Sequence, residues 1–436
     1  MDIRLLAEQN PWWIDKEKIY DDEKVKEALS KVKKIEYSFK EFENRNLLII
    51  GPRQVGKTTF LKLFVRYLIE KGVDPRCILY FSCEPIRDFE KVIEIIRFSD
   101  SLISCRKYIL FDEITFVPEW YRAIKYILDT SIGKGKTIFV TGSSSIELRK
   151  EMFPGRDIRI KYFLPLSFKD FCNVFGSKML KEEIKARISM LSMDEIVEKS
   201  RRLIFYFNEI ERLFDLYLRS GGFPRSMYEL IEDGKIREET YQIYWNWLIS
   251  DIAKIGRSER ITSAVLLGVL KNYGTRFSLN SIARETEIGS HVTVREYLEI
   301  LENLFVLRNI FPMVKGQVAF RRMRKVYFID PFLFHVFKKQ LTQTRIKEEE
   351  IPGLVEGVVG EHLIRRFGRI FYYSQKKEVD FCTTNTGIEV KWQKRVDKRD
   401  FPNVGFKNKI LLSMDQFEVA KDRLVIIPVS IFLLLL

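Results

Sequence analysis

Histidine and cysteine are both scarce in this 436-residue chain, which has three of the first and five of the second, at Cys77, Cys83, Cys105, Cys172 and Cys382. No two cysteines stand in a CxxC pair, which excludes the usual zinc-site spacing and gives no sign of a disulfide framework. The sequence reads as that of a protein kept in a reducing compartment. Long apolar runs are missing too. Crossing a bilayer takes about 20 apolar residues, and the tail from Val425 to Leu436 is shorter and holds Pro428, so it reads as a buried strand and final turn. The start, MDIRLLAEQNPWW, has no apolar run like that of a signal peptide. A cytoplasmic protein with no membrane contact is expected. Internal repeats and low-complexity tracts are absent, and 13 prolines and 22 glycines are too few for a collagen-like or largely disordered chain.

What is present is core-forming material and positive charge. Apolar residues make up 46% of the sequence, enough to bury several cores, and the length suggests about three domains. Lysine plus arginine (74) exceeds aspartate plus glutamate (60) by 14, a surplus that favours a polyanionic partner such as nucleic acid. Abundant charge with few glutamines or histidines points to a thermophilic source.

After a charged, helix-like stretch over 16–45, the run LLII (47–50) breaks into a glycine-rich turn, and an amphipathic segment follows from Thr58 to Glu70. Short apolar runs recur at 77–82, 108–113 and 136–143, separated by helical patterns. That alternation is the signature of a parallel sheet with helices on its faces. From 167 to about 257 the pattern is helical. A third stretch, 261–330, reads as a helix, a short helix (280–285), a turn at Gly289, a longer helix (292–304) and two strand-like runs around Lys315 and Gly316, the order of a winged helix-turn-helix. Residues 341–350 read as a linker, and 351–436 as helix, three strands, helix, strand. The fold expected is α/β multidomain: a P-loop core over 1–165, a helical lid over 166–260, a winged helix over 261–340 and a further α/β domain over 341–436.

Residues 51–58, GPRQVGKT, fit G-x-x-x-x-G-K-[ST] between a predicted strand and a predicted helix. In that setting the loop of Gly51, Pro52, Arg53, Gln54, Val55 and Gly56 binds the phosphates of ATP, Gly51 and Gly56 letting its backbone N–H groups wrap them, and Lys57 neutralises the β and γ oxygens. Thr58 offers its hydroxyl to Mg²⁺, and Thr59 sits near the α-phosphate. About fifty residues on, YILFDE ends a strand in Asp112, placed to hold Mg²⁺ through water, and Glu113, placed to orient or deprotonate the attacking water. The third strand ends in Thr141, Gly142, Ser143 and Ser144, which serve either to report the γ-phosphate or as a plain turn.

The strings QNPWW, GPRQVGKTT, FDEITFVPEW (111–120), VTGSSS (140–145), FPGRDIRIKYFLPLSFKDF (153–171) and YLRSGGFPRS (217–226) together resemble the AAA-type ATPases of archaea and bacteria that carry an uncharacterised C-terminal domain. The resemblance implies an ATP site with Ser143 as its sensor. It also implies that Arg156, in the PGR string, is an arginine finger reaching a neighbouring subunit of a homo-oligomer. Arg122 and Arg149 compete for that role.

In the winged-helix reading Ser290 caps the second helix, and His291, Thr293, Arg295 and Glu296 lie where base contacts are made. Lys315, Arg321, Arg322, Arg324 and Lys325 form a basic wing suited to DNA phosphates. Further on, Asp380, Glu389 and Lys391 give D-x8-E-x-K: two carboxylates on adjacent strands, with a lysine one pleat along the same face, can bind Mg²⁺ and position water. With a glutamate on the upstream helix this resembles the PD-(D/E)xK nuclease superfamily. The resemblance implies a restriction-endonuclease-like domain whose constellation is Glu356, Asp380, Glu389 and Lys391, with Glu361 as the alternative to Glu356 and Mg²⁺ or Mn²⁺ as metal. The function expected is ATP hydrolysis coupled to action on double-stranded or branched DNA. The rival is a nucleotide-switched ATPase resembling the STAND type, whose last domain binds rather than cuts.

Overall fold

In the computed structural model of the chain, residues 3–143, 153–185, 192–375, 377–420 and 423–436 are described. The chain divides into two compact units, Met1–Leu164 and Pro165–Leu436.

The first unit is built on β1 (Leu47–Ile50), β2 (Ile78–Ser82), β3 (Tyr108–Asp112), β4 (Thr137–Gly142) and β5 (Arg159–Tyr162). They form one parallel sheet in the order β2-β3-β4-β1-β5. The inner strands are near-continuous apolar runs because helices cover both faces. Two short helices, α1 (Ile3–Gln9) and α2 (Glu23–Ser30), come first, and α3 (Lys57–Glu70), α4 (Phe89–Leu102) and α5 (Trp120–Asp129) alternate with the strands. The NPWW segment covers the edge of the sheet: Asn10 donates to and accepts from the backbone of Tyr80, at 2.8 and 2.7 Å, and both indoles donate to the carbonyl of Ile78. An amide side chain thus supplies the ladder bonds that an edge strand lacks. A disulfide joins Cys77 and Cys105, just ahead of β2 and β3, correcting the expectation that the cysteines are unpaired. The two strands are neighbours in the sheet, and that adjacency is invisible in the spacing.

The second unit begins with helices α6 (Phe168–Phe175), α7 (Lys178–Glu183), α8 (Met193–Leu203), α9 (Phe207–Ser220), α10 (Pro224–Asp233) and α11 (Glu238–Lys254). Three more follow, α12 (Glu259–Lys271), α13 (Leu279–Glu285) and α14 (His291–Asn303), leading into β6 (Leu307–Ile310), which pairs antiparallel with β9 (Lys325–Phe328). Between these two strands lies a hairpin of β7 (Pro312–Val314) and β8 (Gln317–Val318). Next come α15 (Pro331–Thr342), α16 (Ile351–Phe367), β10 (Phe371–Ser374), β11 (Glu378–Cys382), β12 (Thr386–Val390), β13 (Asn408–Ser413), β14 (Glu418–Val419), β15 (Leu424–Pro428) and α17 (Val429–Leu435).

Three features depart from the sequence reading. The β7–β8 hairpin does not stand apart as a wing, because β7 pairs parallel with β10 and extends an eight-stranded sheet ordered β14-β15-β13-β12-β11-β10-β7-β8. The second helix expected after residue 390 is only the short turn Lys398–Asp400, since Pro402 and Gly405 interrupt any longer one. The apolar tail is strand β15 followed by helix α17, both buried, rather than a strand and a turn.

Candidate functional site

β1 delivers the chain to a tight loop. A Cβ on Gly51 would lie 1.8 Å from the carbonyl oxygen of Phe163, so only glycine fits where β1 runs beside the segment after β5. Gln54 and Gly56 take positive φ, 60° and 99°, and α3 then starts at Lys57 with its free N–H groups facing the loop. Pro52 and Val55 are buried, Arg53 is half-buried with its guanidinium 5.5 Å from the Phe116 ring, and Gln54 is exposed. Thr59 is half-buried one residue beyond Thr58. This is a nest of backbone donors at a helix N-terminus, an anion cradle.

Lys57 is only 4% exposed. Its ammonium donates to the carbonyls of Gly51 and Pro52, each at 2.9 Å, lies 3.4 Å from the Ser143 hydroxyl and is 3.7 Å from Glu113 Oε1. Ser143 donates to the Glu113 carboxylate, at 2.5 Å to Oε2. Asp112, at the end of β3, accepts from three hydroxyls: Thr58 at 2.6 Å, Thr141 at 2.5 Å and Tyr80 at 2.9 Å. Thr141 also accepts the backbone N–H of Glu113 at 2.9 Å, which holds that residue at φ 51°. Burial, and then the charge of Asp112, raise the Tyr80 phenol, so it stays a neutral donor. The donors suit a hard cation beside phosphate: a hydroxyl and a carboxylate in contact, with no thiol or imidazole among them. Gly51, Pro52, Lys57, Thr58, Asp112, Glu113, Thr141 and Ser143 are thus brought together. Sequence reasoning missed Tyr80, which the alternation along β2 places on the same face as Ser82.

Arg156 is not part of this cluster. Its guanidinium makes a two-pronged pair with Asp129 at the end of α5, 2.8 and 2.5 Å, and that hydrogen-bonded pairing raises its pKa. Arg122 pairs with Glu119 at 2.9 Å. Arg149 and Ser144 lie outside the described residues.

In the second unit, α16 approaches the sheet closely because Gly360 leaves no side chain; a Cβ there would lie 2.9 Å from the Phe381 ring. That approach sets Glu356 beside β11. Lys325, first residue of β9 and 2% exposed, puts its ammonium 2.9 Å from Glu356 Oε1, 2.8 Å from Asp380 Oδ1 and 3.0 Å from Glu378 Oε1. The Tyr327 hydroxyl donates to the same Glu356 oxygen. Asp380 Oδ2 accepts the N–H of Val390 at 2.9 Å. Glu389 pairs with Lys391 at 2.8 Å and accepts the N–H of Asp380 at 3.3 Å. Burial, then the neighbouring Asp380, push Glu356 up to about 8 and Glu389 to about 7. Glu361 is held by Arg308 and Arg365, each at 2.9 Å, so Glu356 alone of the two helix glutamates stands beside Asp380.

The structure thus joins Glu356, Asp380, Glu389 and Lys391, and adds Lys325, which sequence reasoning had assigned to the basic wing. That is a correction, as is Arg324, 5% exposed and turned onto Asn309 and the Phe311 ring. The signal was legible in part: Lys325 and Tyr327 alternate with Val326 and Phe328, so the two polar groups share one face. Among the described residues, no group of three or more histidines, cysteines, aspartates or glutamates stands in a metal-holding arrangement.

A third feature is an open groove of about 490 Å³ between α14 and the residues before β9. His291 and Arg295 line one wall and Arg321 and Arg322 the other, with Phe311 and the exposed Phe320 between them. Ser290 caps α14 by accepting the N–H of Val292 at 3.1 Å. Glu296 points elsewhere and pairs with Arg257 at 3.2 Å.

Residues 43–172 match the family model of an AAA domain, and this stretch is an AAA-type P-loop ATPase domain. Residues 211–344 match a domain of unknown function (DUF8612). Among solved structures, the RuvB Holliday junction branch migration motor of Thermotoga maritima is similar at 14% identity and a TM-score of 0.28, over 73% of this chain and 92% of that one. AMPPCP-bound DnaA from Aquifex aeolicus is similar at 14% identity and 0.27, over 61% and 84%, and Cdc6p from Pyrobaculum aerophilum at 13% and 0.24, over 78% and 96%. No curated protein matches the chain. Among the described residues, no helix is long and apolar enough to cross a membrane.

Proposed function

We propose that the protein is a cytoplasmic, Mg²⁺-dependent ATP-binding and ATP-hydrolysing protein that acts on double-stranded or branched DNA, nucleotide state gating what its second unit touches. The observation that carries the first half is the linked set Lys57, Ser143 and Glu113 beside Thr58, Asp112 and Thr141. Lys57 draws the β and γ oxygens, and the N–H groups ahead of α3 orient them. Mg²⁺, when bound, neutralises phosphate charge. Thr58, and Asp112 through water, would hold it. Ser143 reads the γ-phosphate by turning its hydroxyl from Glu113, and Glu113, so released, accepts a proton from the attacking water. Arg156 serves as an arginine finger in a homo-oligomer by exchanging Asp129 for phosphate.

The DNA half is supported by the groove between α14 and the Arg321–Arg322 segment, read as a winged helix, and by the excess of positive charge. In the C-terminal domain, read as nuclease-like, one observation favours the second reading, a module that binds rather than cuts: Lys325 stands among the acids. The test is ATP turnover and duplex binding by the full chain. Turnover that Lys57→Ala and Glu113→Gln sharply lower, together with salt-sensitive duplex binding weakened in Arg321→Ala/Arg322→Ala, is expected. Turnover indifferent to Lys57→Ala would refute the ATP site, and duplex binding unaffected by the arginine pair would refute the groove.

A further inference from the structure

The nuclease resemblance reserves a place between Glu356 and Asp380 for a divalent cation, and the residues present do not fit one. An ammonium has three N–H donors and no acceptor. That of Lys325 donates to Glu356 at 2.9 Å and to Asp380 at 2.8 Å, and forms an ion pair with Glu378 at 3.0 Å. Other acceptors of the cluster are engaged as well: Asp380 Oδ2 by the N–H of Val390, Glu389 by Lys391 and the N–H of Asp380, and Glu356 Oε1 a second time by Tyr327. Mg²⁺ requires about six oxygens near 2.1 Å and keeps several waters. A buried site whose oxygens already point at a nitrogen 2.8 to 3.0 Å away offers neither the distance nor the water.

We propose that Lys325 is the resident cation of this cluster: its ammonium takes the place between Glu356 and Asp380 that a metal would hold, so that the C-terminal domain is locked in a metal-free form. This rests on the reading of that domain as nuclease-like. The lysine arrives from β9, directly after the arginines that line the basic groove, so the same contact ties the β6–β9 pair to the eight-stranded sheet. The group that closes the acid site therefore lies three residues beyond Arg322, at the end of the segment proposed to meet DNA.

The experiment titrates the full-length, nucleotide-free protein with Mn²⁺ and follows the loss of the free-ion signal by electron paramagnetic resonance. It compares wild type, Asp380→Asn, Lys325→Met and Lys325→Met/Asp380→Asn, with thermal unfolding of each variant, with and without Mn²⁺, as a second readout. Wild type is expected to have no Mn²⁺ site that Asp380→Asn removes. Lys325→Met is expected to gain one at least tenfold tighter than any such site in wild type, to have its midpoint raised by Mn²⁺, and to lose both effects in the double variant. If Lys325→Met does not fold, the wild-type titration decides alone. A wild-type site lost in Asp380→Asn overturns the lysine lock and leaves the nuclease-like reading standing. A folded Lys325→Met that gains no site overturns both.

Discussion

Two clusters in this molecule place a lysine among carboxylates, and they do opposite things with it. At the start of α3, Lys57 rests on two backbone carbonyls, with Glu113 3.7 Å away and the acid engaged by a serine. Each of those contacts is exchangeable, and the helix N-terminus beside them is an electrostatic sink for phosphate. At the start of β9, Lys325 is hydrogen-bonded to two carboxylates, ion-paired with a third and almost wholly buried. The first lysine is poised to leave its partners for a ligand. The second has no such alternative, and removing it would strand buried acids. A motif states which residue types are present; the partner set decides whether they are free to act.

That contrast breaks most visibly through stability. Lys325→Met is expected to cost about 3–5 kcal/mol, because buried carboxylates lose their counter-charge, whereas Lys57→Ala shifts the denaturation midpoint far less; chemical denaturation of both variants checks this. Comparable effects would mean that the P-loop lysine is as structural as the other.

Phosphate release sharpens the other side of the comparison. Lys57→Ala and Glu113→Gln are each expected to lower ATP turnover by about 10²–10³-fold, the range for removing a charge or base that acts in the transition state.

His362 supplies a pH test within the second unit. Its ring accepts the N–H of Phe168 at 2.9 Å and is within hydrogen-bond distance of the Val358 carbonyl, and burial lowers its pKa to about 4. The folded pKa is below the unfolded value near 6.5, so the neutral ring contributes stability that is complete above pH 6.5 and is lost as pH falls toward 4. Over that interval the wild type should lose about 3 kcal/mol relative to His362→Asn, read from unfolding at several pH values. Glu356 and Glu389 act in the reverse sense: raised in the fold, they favour it at low pH and cost stability as pH rises through about 7 and 8.

The smallest effect expected is at the groove. Arg321→Ala/Arg322→Ala should reduce the slope of log affinity for duplex DNA against log salt by about 2, one for each phosphate that the variant no longer neutralises. An unchanged slope would place DNA elsewhere.

Where function rests on neighbours in sequence or on strand ends, it was legible. The loop from Gly51 to Thr58 is strand, turn and helix in one stretch, and Asp112 and Ser143 end strands that parallel pairing must bring to the same edge. Asp380 and Glu389 stand on the paired strands β11 and β12, a proximity that the short turn between them announces, whereas Glu356 entered through the family resemblance. Lys325 was not legible, because nothing local says that β9 turns one face toward a helix and strand thirty to fifty-five residues away; a basic neighbourhood suggested solvent instead. The Cys77–Cys105 bond and the Arg156–Asp129 pair were hidden likewise, each depending on which elements lie side by side.

The most direct measurement sets ATP turnover by the full chain beside cleavage of labelled linear and branched DNA in Mg²⁺ or Mn²⁺. ATP turnover that depends on Lys57, with every DNA left intact, is the result expected of one exchangeable lysine and one locked. DNA cleavage that Asp380→Ala abolishes while ATP turnover continues would contradict it.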